Sequence, residues 1–62
     1  MKIFQYVVFY QPKDTSISPE IITPVTTVLE KDEKIVNMKA IRALDEKWAD
    51  KLDEIVIVVK LF

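Results

Sequence analysis

Five carboxylates, Asp45, Glu46, Asp50, Asp53 and Glu54, crowd one short stretch and are the densest set of chemically capable side chains in the sequence. Paired carboxylates perform general acid–base work, and converging carboxylate oxygens hold hard cations such as calcium. The spacing matches neither use. A calcium loop alternates its ligands around a glycine, whereas these acids alternate with Lys47 and Lys51 at helical spacing, the pattern of a solvated helix face. Thr15, Ser16 and Ser18 offer hydroxyl nucleophiles, but a hydroxyl needs a base beside it, and the chain contains no His and no Cys. It contains no Gly either, which removes the phosphate-cradling loops of Walker and dinucleotide type. The expectation is a protein that is not an enzyme, with no cofactor, no metal and no small-molecule ligand.

Lys31, Lys34, Lys39 and Arg42 make the nearest approach to a nucleic-acid site, with Tyr6 or Phe9 as stacking platforms. Glu30, Asp32 and Glu33 interrupt that basic run. Across the chain nine basic residues face ten acidic ones, a net charge of −1, so no global field draws it to nucleic acid or to a membrane surface. Protein partners fit this balance best.

These side chains must be held by a short chain. Sixty-two residues allow one domain, spanning 1–62, and a chain of that size buries only about 60% of the surface its unfolded form exposes. Small domains add disulfides, a structural metal or a partner; without Cys or His, a partner is the supplement left. Half the residues are apolar and 31% are charged, which suits a soluble globular domain and interrupts any membrane span. The start of the chain is apolar but short, with polar Gln5 and Gln11 and no small-residue cleavage site, and reads as a strand of a cytosolic protein and not as a signal peptide.

From Lys2 to Tyr10 the β-branched and aromatic density predicts a central strand, with both alternating sets apolar. Residues 11–20 are the one stretch of turn-type composition and predict a long loop, mobile or partner-bound. Ile21 to Leu29 is a second strand, confined to an edge or bulged because Pro24 cannot donate to a ladder. Asp32 is a helix N-cap candidate, and Ile35, Met38, Ile41, Leu44, Trp48 and Leu52 recur at spacings of three and four, predicting an amphipathic helix with these residues on its core stripe. Asp45 followed by Glu46 can cap a second helix, so the region reads as one helix or as two with a break near Leu44, continuity being preferred. Glu54 to Phe62 is the clearest strand. Without glycine, any turn needing positive φ falls to Asn37, an Asp or another residue, and tight two-residue hairpins are disfavoured.

The assembly that follows is an α+β fold, ββαβ, with a three-stranded antiparallel sheet in the order 2-1-3 and one helical region packed on one face. One helical layer leaves the other sheet face uncovered. Phe4, Tyr6, Val8, Tyr10, Val56, Val58 and Phe62 are the residues assigned to that uncovered face and hence to a protein interface. The competing reading folds the loop or the chain ends over it. Sheet augmentation through the exposed edge strand is a second docking mode, limited where Pro24 stands.

Two further stretches carry a resemblance. Residues 24–34, PVTTVLEKDEK, and 48–62, WADKLDEIVIVVKLF, resemble small tailed-bacteriophage proteins of unknown function, in which a Lys-Asp-Glu-Lys helix start, an aromatic-Ala-Asp-Lys-Leu-Asp stretch and a final strand ending in Pro-Phe recur. Leu61 stands where that pattern has Pro. The likeness spans about the C-terminal two thirds and implies a viral origin, without carrying any functional residue over. The expected function is a phage structural or assembly component, such as a minor capsid or decoration protein, in the virion. The alternative is a small phage inhibitor or adaptor that binds a host protein in the host cytoplasm. Self-association is the other partner these features admit.

Overall fold

The computed structural model describes residues 1–62. Strand β1 (Lys2–Tyr10) leads through a connecting segment to β2 (Glu20–Glu30), then to helix α1 (Glu33–Arg42), a 3-10 helix (Glu46–Glu54) and β3 (Ile55–Leu61). The three strands form one antiparallel sheet in the order β2-β1-β3, as the residue pattern predicts. β1 lies in the middle: unlike β2 it has no proline, and apart from Lys2 and Gln5 it is apolar on both faces. Pro24 sits in β2, an edge strand, and there the pairing with β1 slips twice, between Tyr6 and Val8 and again between Val8 and Phe9. The Pro24 carbonyl accepts from Thr26 Oγ1 at 2.8 Å, a local bond that occupies it within the bulge.

Helix α1 begins where Asp32, in extended conformation, accepts the Ile35 N–H at 3.1 Å. Glu33 in the first turn and Lys39 and Arg42 in the last complement the helix dipole. The helix then stops, and the preferred continuity from 33 to 52 is corrected. Asp45 adopts φ −64°, ψ 150° and caps the next helical stretch by accepting the Lys47 N–H at 3.3 Å, while the Asp45 carbonyl accepts the Trp48 N–H at 3.0 Å. An aspartate that satisfies new N–H groups ahead of it competes with continuing the old helix. The 3-10 stretch is itself two short turns meeting at Lys51, whose φ of −122° leaves the helical region.

The core stripe is corrected with it. Val36 and Ala40, four apart, are the buried positions of α1, at 1% and 2% exposure, whereas Met38, Ile41 and Leu52 are about half exposed. A valine and an alanine on the contact face let the helix approach the sheet closely, and the break after Arg42 frees Trp48 to enter the core from a separate element. Phe4, Val8 and Tyr10 of β1 complete a buried core of six residues. Tyr10 and Trp48 meet with ring centroids 5.1 Å apart and planes tilted by 49°. Lys51 Nζ lies 5.5 Å from the Tyr10 ring and 5.7 Å from the Trp48 ring, and Lys47 Nζ lies 5.2 Å from Trp48. These cation–π contacts hold the 3-10 stretch over the end of the sheet.

No residue has positive φ. Asn37, a candidate for such a position, is inside α1 and donates from Nδ2 to the Glu33 carbonyl at 3.1 Å. The turn between β1 and β2 is made instead by Asp14, whose Oδ1 accepts from the Ser16 N–H at 2.9 Å and the Ser16 hydroxyl at 2.7 Å. The segment is also tied down by Gln11 N–H to the Glu54 carbonyl at 2.8 Å and Lys13 N–H to Glu54 Oε2 at 2.7 Å.

Candidate protein-docking face

Antiparallel residues directly opposite one another point to the same side of a sheet. The pairings Gln5–Lys60, Val7–Val58 and Phe9–Val56, with Ile3–Leu29, Gln5–Thr27 and Phe9–Ile21, therefore define one face, and the Phe62 N–H bonded to the Ile3 carbonyl at 2.9 Å extends it. The opposite face carries Phe4, Tyr6, Val8 and Tyr10, and α1 lies on it. The seven residues assigned from the sequence to the uncovered face are thus divided: Phe4, Val8 and Tyr10 are buried in the core and Tyr6 shares their side, while Val56, Val58 and Phe62 belong to the open side. Alternation could not separate the two sets because both are apolar; what separates them is the register of β3 against β1, which puts even-numbered residues of β3 beside odd-numbered residues of β1.

The open face has four rows across the strands. Leu29, Ile3 and Phe62 form the first, Thr27, Gln5 and Lys60 the second, Val25, Val7 and Val58 the third, and Ile21, Phe9 and Val56 the fourth. Three rows are wholly apolar. Ile3, Ile21, Val25, Leu29, Val58 and Phe62 remain between 46% and 75% exposed, and Lys60 is the one charge among the four rows. A depression of about 200 Å³ opens where the polar row meets the third, lined by Gln5, Tyr6, Val7, Val25, Val58 and Lys60. The connecting segment is anchored by Gln11 and Lys13 to Glu54 at the end of the 3-10 stretch, Phe62 continues the sheet, and the six apolar side chains above stay exposed.

The molecule is correspondingly thin, 40 × 20 × 14 Å. Its surface of 4667 Å² exceeds the roughly 4,100 Å² that the size scaling gives a folded monomer of 7.2 kDa. An extended slab with one helical layer exposes more than a sphere-like domain does.

The chemically capable residues are placed apart from this face and from one another. No group of three or more acids converges on a point that could hold a metal ion. Asp45 is a helix cap, Asp53 pairs with Lys13 Nζ at 2.7 Å, and Glu54 binds the Lys13 main chain. The Lys13 hydrogen bond, followed by its charge, holds the Asp53 carboxyl below its ordinary value, and Asp53 raises Lys13 in return; the Ser16 N–H and hydroxyl lower Asp14. These are structural pairings at the surface. Lys39 is paired with Glu30, and Tyr6 and Phe9 lie on opposite faces of β1, so the basic residues and the two aromatic rings do not assemble into a stacking groove. A second crevice of about 290 Å³ lies beside Trp48, Lys47, Asp45 and Glu20, where the Asp45 carboxylate is already engaged as a cap. No helix is long and apolar enough to cross a membrane. Comparison with protein-family models, with curated proteins and with solved structures finds no match.

Proposed function

We propose that this chain is a non-enzymatic protein-interaction module that docks through the open face of its sheet, and that its setting is a tailed-bacteriophage particle, as a structural or assembly component of the minor capsid or decoration type. The observation that supports the docking reading is the uncovered face itself: three apolar rows and a single charge on a sheet whose other side already has its helical layer. The phage setting rests on the likeness of residues 24–34 and 48–62 to small phage proteins.

The mechanism is burial. Fully hiding a Val, Leu, Ile or Phe side chain contributes about 1.5–3 kcal/mol, so a partner covering the three apolar rows supplies stability comparable with that of a small domain. Lys60 stands on an edge strand, where a lysine can keep its charged end in water at the rim while its methylenes are covered. The row of Thr27, Gln5 and Lys60 fixes the register of whatever lies on top, since each polar group left unpaired under a partner carries a penalty.

The test is incorporation. The protein is expected at high copy in purified particles, and Val25→Lys and Val58→Lys, which place a charge in the third row, are expected to lower that copy number by more than about tenfold with circular dichroism unchanged. Full retention of both variants overturns the docking face. Absence from particles, together with co-purification with one bacterial protein, replaces the virion setting with that of an inhibitor or adaptor and leaves the docking face in place.

A further inference from the structure

The two edges of the sheet are built differently. β2 carries the features that keep an edge from pairing: Pro24, two register slips and a glutamate at each end. β3 has none of the first two, and Lys60 is its only charge. The hydrogen bonds that flank it, Gln11 N–H to Glu54 and Phe62 N–H to Ile3, fix which main-chain groups face β1: those of the even-numbered residues. Ile57, Val59 and Leu61 therefore direct N–H and C=O away from the sheet, and no hydrogen bond within the chain engages those N–H groups. Ile55, the next in that series, is already committed, its N–H donating to the Leu52 carbonyl.

We propose that this edge pairs antiparallel with the β3 edge of a second copy about a twofold axis at Val59. In that register Val59 meets Val59, Ile57 meets Leu61 and Leu61 meets Ile57, and each of these pairs exchanges both of its main-chain hydrogen bonds. A twofold centred on Ile57 instead would require the Ile55 N–H, which is not free. The Val59 centre also sets Lys60 opposite Val58 of the second copy, so the like charges are not directly apposed. The product is a sheet in the order β2-β1-β3-β3-β1-β2 with both copies of α1 on one side. Both open faces lie on the other, so the docking surface of the module becomes continuous and twice as wide.

The experiment combines solution mass by light scattering over a concentration series with residue-resolved amide exchange. The expected results are a mass rising toward twice 7.2 kDa and slowing of the Ile57, Val59 and Leu61 amides by about tenfold or more in step with it. Leu61→Pro removes an outward N–H at the strand end and is expected to weaken the dimer by about tenfold with circular dichroism unchanged. Val25→Lys, on the open face, is expected to leave the mass curve unchanged. A mass of 7.2 kDa at every concentration overturns the inference, as does a doubled mass with those three amides still exchanging freely. Dissociation by Val25→Lys but not by Leu61→Pro overturns it too, by moving the second copy onto the open face, and that outcome leaves the docking reading intact.

Discussion

Phe4 and Leu29 belong to adjacent strands of the same sheet, yet Phe4 is 5% exposed and Leu29 57%, because they point to opposite sides of it. Both sides carry Val, Ile, Leu and aromatic residues in similar density. One side received α1 and Trp48; the other received nothing from this chain. Strands apolar on both faces are the pattern of sheets covered on both faces, so the difference between the two sides lies in the number of layers the chain supplies and not in the residues the strands present. A sheet patterned for two layers and given one is an incomplete core.

That comparison breaks or holds on a pair of truncations. Phe4→Ala is expected to destabilise the isolated protein by about 3–5 kcal/mol, close to all the stability a domain this small has. Leu29→Ala is expected to stay within about 0.5 kcal/mol. Urea titration followed by circular dichroism reads both, and equal losses would mean that the open side is already satisfied in the free protein. A smaller effect probes how the covering layer is held. Asp32→Ala removes the acceptor of the Ile35 N–H, for an expected loss of about 1 kcal/mol visible in the same titration.

The smallest effect concerns the segment 11–19, which belongs to neither face. Asp53 and Asp14 are lowered from their ordinary value of 3.8, so what they contribute is present above that value and disappears as pH falls through the lowered ones. Lys13 is raised above 10.5, so its contribution is present below that value and is lost as pH rises through the raised one. All three groups are fully exposed and screened by salt. Acidification below 3.8 is therefore expected to lower the protection factor of the Ser16 amide, taken against its intrinsic exchange rate at each pH, while the β1 amides stay protected. Loss of protection across the whole sheet at the same pH would show that the segment is integral to the core.

The strands, their order and the Asp32 cap were legible in the sequence because each rests on a local signal: β-branched runs, Pro24 at an edge, an aspartate before a helical period. The division of faces was not, since Phe4 and Val58 look alike to any alternation rule. The helix stripe misled for a related reason. Met38, Ile41 and Leu52 fit the helical period, but Val36 and Ala40 fit the space over the sheet, and large apolar side chains at a period of 3.6 do not reveal which side of the helix is nearer the strands. The break at Asp45 was visible as a capping pattern, yet only the placement of Trp48 against Tyr10 shows why two elements serve better than one.

The absence of any residue with positive φ bears on the unfolded chain as much as on the folded one. A glycine-free polypeptide samples fewer backbone states when denatured, and each position that is not glycine surrenders about 0.4–1 kcal/mol less entropy on ordering than a glycine there would. For a fold with six buried residues, that restraint on disorder is a source of stability independent of any contact. It also means that no turn depends on a glycine, and the connections rest instead on the side-chain oxygens of Asp14, Asp32 and Asp45.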